Sequence, residues 1–252
     1  MARFEHGKVR IYYEDEGGDG VPALVIPGLT MSIEDMDGIR KALAGRYRVI
    51  AADAPGSGRS EPIPRHFEAT YYHDDAESFL ALLASLGLPP AHIVGFSDGG
   101  EYALVMAELK PEAVRSIVAW GSVGIAPPQP MLQMFGQVID NPIPPMQEYS
   151  DYLKSTYGEE NARTTIQSVV QAFAGLIESG GDISRKRASE IACPALLIAG
   201  ENDPLASPPA VADLAKAIPQ GEFVEFKGAG HTVHHDQPDS LISTVVDWLA
   251  KH

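Results

Sequence analysis

The segment Gly95-Phe96-Ser97-Asp98-Gly99 has the spacing of a nucleophilic serine held on a sharp turn. The apolar residues 91–94 before it predict a buried strand, and residues 100–110 after it predict a helix. A turn that lifts a serine hydroxyl out of a strand end crowds backbone against helix, so only small residues fit beside it. A glycine-rich turn with a serine cap has the same pattern, so the interpretation depends on partner residues elsewhere in the chain.

A serine nucleophile needs a base to take its proton and an acid to orient that base. Asp203 follows a predicted strand at 195–199, and His231 follows a predicted strand at 222–226. Parallel strands place their carboxyl ends at one edge of a sheet, where ligands bind. The sequence therefore predicts that Ser97, Asp203 and His231 meet there as a catalytic triad.

Other residues of suitable type lie near these positions. Glu201 is closer to the strand end than the preferred acid, and Asp182 lies in a separate segment, so both are weaker candidates for the orienting acid. His234 and His235 closely follow His231 and superficially resemble a metal site. No motif of the H-E-x-x-H kind accompanies them. We therefore expect one to pack against a helix or lid and the other to lie on the surface, with no metal.

Two backbone N–H groups are needed to stabilise the oxyanion of the tetrahedral intermediate. One is predicted at Asp98, because this residue begins the helix after the nucleophile and the helix dipole adds a favourable field. The second is predicted at Leu29, in the loop after strand 23–26, where Gly28 allows a tight turn. The glycine-containing segment 53–60 lacks the G-K-[ST] ending of a phosphate-binding loop and is predicted to be structural.

The Asp98 carboxylate lies next to the predicted oxyanion, where its charge opposes catalysis. Two like charges about 4 Å apart repel by roughly 4 kcal/mol at an effective dielectric constant of 20. A protein cation such as Arg59, or a positive group on the substrate, could offset this repulsion. The second case predicts selection for substrates with a cation near the scissile carbonyl. The alternative is an ordinary first-turn acid whose side chain points away.

Composition narrows the class of protein. The chain has 252 residues, a formal charge of -15 and no run of Lys or Arg, which argues against nucleic acid or an anionic membrane as partner. The negative charge is explained most simply as a contribution to solubility. A cationic substrate is the alternative, functional explanation. Cys193 is the only cysteine, so no intrachain disulfide forms. Because no segment has the pattern of a signal peptide or a membrane span, we expect a cytoplasmic location.

Strand and helix patterns alternate in the first half of the chain and again after residue 195. This alternation predicts an α/β fold with a doubly wound, mostly parallel sheet. The pattern breaks between residues 122 and 187, where six prolines precede an amphipathic helix predicted at 161–179. We predict a core of residues 1–121 and 188–252, with 122–187 inserted as a helical lid after the sixth strand. A helical appendage packed elsewhere is the alternative.

These motifs resemble the α/β-hydrolase superfamily over nearly the whole chain. Within it, residues 96–100, 119–121 and 200–205 are similar to the biphenyl hydrolase-like proteins, which include valacyclovirase. One departure is Pro27, where the superfamily often has a histidine before the glycine. The resemblance implies the α/β-hydrolase fold and the triad in the order serine, acid, histidine. It also implies α-amino-acid esters as one substrate class, with Asp98 receiving the amino group.

The predicted activity is hydrolysis of small carboxylic esters through an acyl-enzyme, without a cofactor. Lactonases, amidases and carbon–carbon bond hydrolases use the same triad and stay as alternatives. Haloalkane dehalogenases and epoxide hydrolases are disfavoured, because they need a carboxylate where Ser97 stands. A non-catalytic ligand-binding protein on the same scaffold is the alternative of another class; its usual mark, a damaged triad, is not seen.

The apolar residues Met131, Phe135 and Phe173 of the insertion are predicted to contact the substrate, although they would pack a lid of any specificity. The oligomeric state is not predicted.

Overall fold

The computed structural model describes residues 2–252 and is built around one eight-stranded sheet. The strands in chain order are Ala2–His6 (β1), Val9–Asp15 (β2), Pro22–Ile26 (β3), Arg48–Ala52 (β4), Ala91–Phe96 (β5), Val114–Trp120 (β6), Ala195–Gly200 (β7) and Gly221–Phe226 (β8). Their spatial order is β1-β2-β4-β3-β5-β6-β7-β8. Strands β1 and β2 are antiparallel at one edge, and β3 to β8 run parallel. The predicted α/β fold with a mostly parallel sheet is confirmed.

Helices cover both faces of this sheet. They are Asp37–Leu43 (α1), Tyr71–Ser85 (α2), Asp98–Leu109 (α3), Gln129–Gly136 (α4), Gln147–Tyr157 (α5), Glu159–Glu178 (α6), Pro208–Ala217 (α7), Val233–Asp236 (α8) and Pro238–Leu249 (α9). Within residues 2–252, no helix combines the length and hydropathy needed to cross a bilayer.

The central strands are buried on both sides, which explains their continuous apolar runs. Successive side chains of a strand point to opposite faces. Leu24 and Ile93 therefore pack on one face, which α2, α3 and α7 cover. Val25 and Val94 pack on the other face, against α1 and α9.

Residues 122–187, here called the insertion, follow β6 and contain α4, α5 and α6; all of them are described, and none belongs to the sheet. The helix predicted at 161–179 corresponds closely to α6. The insertion has a small apolar core of its own, formed by Val138, Ile139, Leu153, Tyr157, Ala162 and Ile166. Phe173 and Leu176 of α6 join the main core instead. The role of the insertion as a lid stays a prediction.

The two ends of the insertion meet above a buried acid of α3. The Ala126 N–H donates to Gly181 O (2.8 Å), which closes the junction. Oε1 of Glu101 accepts the N–H groups of Val123 (2.8 Å) and Gly124 (2.9 Å). Its Oε2 is buried without a hydrogen-bond partner among the described residues. Burial raises the pKa of Glu101 from 4.5 to about 7, although the two backbone N–H groups lower it.

We expect Glu101→Gln to be at least as stable as the wild type at pH 8. Because the pKa of this acid is higher in the folded state, its contribution to stability is fully present below pH 4.5 and is lost as the pH rises through about 7. The glutamine oxygen can keep both N–H bonds and never ionises. Urea unfolding between pH 5 and pH 8 should therefore show a weaker loss of stability with pH than the wild type. Glu68→Gln, at an exposed position, is the control, and an unchanged pH dependence in Glu101→Gln would contradict the interpretation.

Candidate active site

Ser97 lies on the sharp turn between β5 and α3, with φ 53° and ψ -118°. A non-glycine residue in this region is strained and needs firm support from its surroundings. Ser97 N–H donates to Trp120 O (2.8 Å). A Cβ atom at Gly95 would overlap the carbonyl oxygen of Gly99, and one at Gly99 would overlap that of Ile26. The two glycines thus allow the close approach that keeps the serine on its turn.

The structure brings the three predicted triad residues into one hydrogen-bonded chain. His231 Nε2 lies 3.1 Å from Ser97 Oγ, and His231 Nδ1 lies 2.8 Å from Asp203 Oδ2. The other oxygen of Asp203 accepts the N–H groups of Leu205 (2.8 Å) and Ala206 (2.9 Å). Because the buried carboxylate can only accept, Nδ1 of the imidazole carries the proton. Nε2 is then free to accept the proton of Ser97.

Small residues at the strand ends let the loop of His231 approach the serine. Gly121, directly after β6, has φ 73°, and a Cβ atom there would lie 2.7 Å from His231 Cε1. A Cβ atom at Gly200 would overlap the carbonyl oxygen of Gly230. The ring of Phe96 packs 5.0 Å from the imidazole, measured between centroids. Side chains at these glycines would push the base out of reach.

The two rival acids lie away from this chain of hydrogen bonds. Glu201 is exposed, accepts Gly228 N–H (2.9 Å) and lies 3.3 Å from Lys227 Nζ. Asp182 accepts Lys186 N–H (2.9 Å) at the re-entry point of the insertion. Neither is among the hydrogen-bond partners of the His231 imidazole in the described structure.

His234 and His235 share one carboxylate, Asp35, which the sequence analysis did not single out. His234 Nδ1 accepts the indole N–H of Trp120 (3.1 Å), so its Nε2 carries the proton and donates to Asp35 (3.1 Å). His235 Nε2 lies 3.0 Å from the same carboxylate. The three residues are spaced as metal ligands could be. However, metal ligation through Nε2 of His234 would move the proton to Nδ1, against the Trp120 donor, so this arrangement disfavours a metal.

Asp98 directly follows Ser97, and Gly28, the neighbour of Leu29, lies so close that a Cβ atom there would be 3.3 Å from Ser97 Cβ. Within residues 2–252, neither the Leu29 N–H nor the Asp98 N–H has a hydrogen-bond acceptor. Segment 53–60, predicted to be structural, supports the loop that carries Leu29. Asp53 Oδ1 accepts the N–H of Ile33 (2.7 Å). Burial raises the pKa of Asp53 to about 6, against the effect of its backbone hydrogen bonds.

Asp98 is buried, with 6% of its surface exposed, and its carboxylate contacts two tyrosines of α2. Tyr71 donates to Oδ2 (2.9 Å), and Tyr72 donates to Oδ1 (3.0 Å). Burial raises the pKa of Asp98 to about 6, and the two hydroxyls limit this rise. Arg59 does not neutralise this carboxylate, because its Nη2 lies 2.6 Å from Glu34 Oε1. Sequence reasoning missed both tyrosines; the only signal was two aromatic residues at the start of an amphipathic helix.

The three predicted substrate-contacting residues of the insertion are placed differently. Phe173 is buried, and its ring centroid lies 6.2 Å from that of Tyr71, a neighbour of Asp98. Met131 and Phe135 are half-buried on α4. The roles of all three in substrate binding stay predictions.

A serine on a strand-turn-helix motif, at the carboxyl edge of a doubly wound sheet, defines the architecture of α/β hydrolases. The chain belongs to the alpha/beta hydrolase family, whose family model matches residues 23–244. The predicted family resemblance is confirmed.

Similar proteins include hydrolases of several kinds. Serine hydrolase BPHL of Homo sapiens is 28% identical, and the alignment covers 96% of this chain and 83% of that protein. A 2-hydroxy-6-oxononadienedioate/2-hydroxy-6-oxononatrienedioate hydrolase of Pseudomonas putida is 26% identical. The alignment covers 99% of this chain and 95% of that protein. The crystal structure of an enol-lactonase from Burkholderia xenovorans LB400 superimposes with a TM-score of 0.77 at 21% identity, covering 99% of this chain and all of that chain. The family is therefore one of hydrolases.

Proposed function

We propose that this protein is a serine hydrolase that cleaves small carboxylic esters through an acyl-enzyme. The observation that carries the proposal is the chain of hydrogen bonds from Ser97 through His231 to Asp203. In this mechanism Ser97 attacks the carbonyl carbon while His231 takes its proton. The N–H groups of Leu29 and Asp98 stabilise the oxyanion.

The second half of the reaction uses the same groups. The imidazolium of His231 protonates the departing alcohol, and the imidazole then removes a proton from water, which attacks the acyl-enzyme. When the carboxylic acid departs, the bond to Ser97 Oγ breaks and His231 returns the proton to this oxygen. Asp203 keeps the imidazole in the required tautomer throughout. No step requires a cofactor.

Lactones, amides and activated carbon–carbon bonds are alternative substrates, because the same triad can attack each of them. A panel of p-nitrophenyl esters, lactones and amino-acid esters on purified protein separates these classes. Stoichiometric labelling by a serine-directed phosphonate tests for the nucleophile independently of the substrate. Folded protein that is not labelled would favour the non-catalytic binding protein.

We further propose that α-amino-acid esters are the preferred esters. Asp98 begins the helix directly after Ser97, and Arg59 does not neutralise its carboxylate. Its two hydrogen bonds come from neutral hydroxyls, which leave its negative charge uncompensated. A substrate ammonium group would compensate this charge and remove the repulsion with the oxyanion. Because the pKa of Asp98 is about 6, the preference should increase as the pH rises through 6.

We expect Asp98→Asn to lose most of the preference for an amino-acid ester over its des-amino analogue. A hydrogen bond between charged groups contributes about 1.5–3 kcal/mol, so the ratio of the two kcat/KM values should fall roughly 10- to 100-fold. The ratio is the decisive measurement, because any general damage to the site affects both substrates. An equal ratio in wild type and variant would show that the carboxylate does not select the amino group.

A further inference from the structure

Thr30, which follows the proposed oxyanion donor Leu29, has an unusual backbone conformation. Its φ is 60°, in the left-handed region, where a β-branched residue is rare. Such strain persists only where the surroundings hold it. Thr30 is fully buried, and its N–H donates to Ser57 Oγ (3.0 Å). Its Oγ1 donates to the carbonyl oxygen of Leu29 (2.6 Å) in the same loop. These two bonds leave the carbonyl oxygen of Thr30 without a partner among the described residues outside the insertion.

Helix α5 of the insertion supplies hydroxyl groups to those atoms. Tyr152 donates its hydroxyl to Thr30 O (3.1 Å), and Tyr157 donates to the same oxygen. The hydroxyl of Tyr149 lies 2.8 Å from Thr30 Oγ1. The carbonyl and the side chain of one strained residue are therefore held by three hydroxyls from a helix more than a hundred residues away.

These tyrosines are fixed by packing in the apolar core of the insertion. Tyr157 belongs to the apolar core of the insertion, and Tyr149 and Tyr152 pack against that core. Burial raises the pKa of all three hydroxyls, so they remain protonated donors at neutral pH. Tyr157 also accepts the N–H of Gly58 (2.7 Å), which links it to the segment that supports the oxyanion loop.

We propose that Tyr149, Tyr152 and Tyr157 are positioning residues that hold the oxyanion loop in its catalytic conformation. The inference rests on the proposed function, because it requires the Leu29 N–H as an oxyanion donor. Without the hydroxyls, Thr30 relaxes towards negative φ. This rotation turns the preceding peptide units relative to the following segment and moves the Leu29 N–H away from the reacting oxygen. The insertion then governs the rate of the chemical step.

The test compares Tyr152→Phe/Tyr157→Phe in the wild-type background and in the Thr30→Gly background. Both substitutions remove donors to the Thr30 carbonyl, an atom that glycine retains. Glycine adopts positive φ without strain, so the loop has no reason to relax in that background. The lost bond of Tyr157 to Gly58 is common to both backgrounds, so the difference between them isolates the strained residue.

In the wild-type background we expect the double variant to lower kcat for a p-nitrophenyl ester about 10- to 100-fold, with KM changed less than about twofold. The rate of phosphonate labelling should fall in parallel, because the adduct places an oxygen in the same hole. In the Thr30→Gly background the same two substitutions should cost at least about fivefold less. Tyr13→Phe, which removes the hydroxyl of a half-buried tyrosine of β2, is the control and should leave both rates unchanged.

Thermal unfolding of each variant shows whether the measured rates refer to folded protein. If the double variant is unfolded, the single variant Tyr152→Phe replaces it, because this variant keeps the hydrogen bond between Tyr157 and Gly58. Equal losses in both backgrounds, or lowered thermal stability with unchanged rates, would overturn the inference. Wild-type protein that resists labelling contradicts the proposed function and with it this inference. Labelling that is equally fast in all variants contradicts the inference alone.

Discussion

Ser97→Ala is expected to lower ester hydrolysis by at least about 10⁴-fold and to abolish labelling by a serine-directed phosphonate. The imidazole of His231 has its Nε2 directed at this hydroxyl and at no other side chain among the described residues. Without it the protein retains the oxyanion donors, which alone give a limited acceleration over water. Removal of one hydroxyl from the half-buried Ser97 should leave the fold intact.

Ser122→Ala is the matched control for this prediction. Ser122 is the serine that contacts the nucleophile turn, since its Oγ donates to Ser97 O (2.8 Å). That bond commits the hydroxyl to the backbone, so it is not available as a second nucleophile. Labelling of Ser122→Ala should therefore remain stoichiometric. If Ser97→Ala is still labelled, or keeps more than a tenth of the wild-type rate, Ser97 is not the nucleophile.

Local patterns predicted the features that depend on neighbouring residues. The nucleophile turn, the strands before it and after it, and the positions of Asp203 and His231 all follow from apolar runs that end in glycine-containing loops. The rule that parallel strands end at one edge then brings distant residues together. Strand β1 and helices α1, α4 and α5 were not predicted. The prolines of the insertion indicate irregular structure, but α4 forms among them because Pro130 lies in its first turn, where proline is tolerated. β1 is an edge strand with alternating half-buried and exposed residues, and α1 has only seven residues, so both have weak apolar patterns.

Contacts between side chains far apart in the chain were beyond the sequence. Nothing in the spacing of Tyr71 and Tyr72 indicates that both hydroxyls meet Asp98, because the rotation of α2 about its axis decides this. In the same way, the charge of Arg59 made it a candidate partner for Asp98, and packing directs it to Glu34 instead. The strain at Thr30 is a property of the folded loop, and no residue type in the sequence reveals it.

Asp203→Asn should lower kcat about 10⁴-fold while leaving the fold in place, and the reason lies in the two N–H groups behind the carboxylate. Leu205 and Ala206 both donate to Oδ1. An asparagine placed here must keep its oxygen at these donors, because its NH₂ group would face two N–H groups otherwise. The NH₂ group is then directed at His231.

A donor at that position forces the imidazole to accept at Nδ1 and therefore to carry its proton on Nε2. The Nε2–H group cannot take the proton of Ser97, so the nucleophile is not activated although every residue remains in place. Asp236→Asn is the matched control, because its carboxylate accepts Gly230 N–H (2.7 Å) in the same loop and an amide oxygen can replace it. We expect that variant to keep kcat within about threefold, as is usual for a single retained neutral hydrogen bond. Steady-state kinetics of both variants test this prediction. A decrease in kcat of less than tenfold in Asp203→Asn would contradict it. Either the backbone donors would not dictate the orientation of the amide, or Asp203 would not select the tautomer of the base.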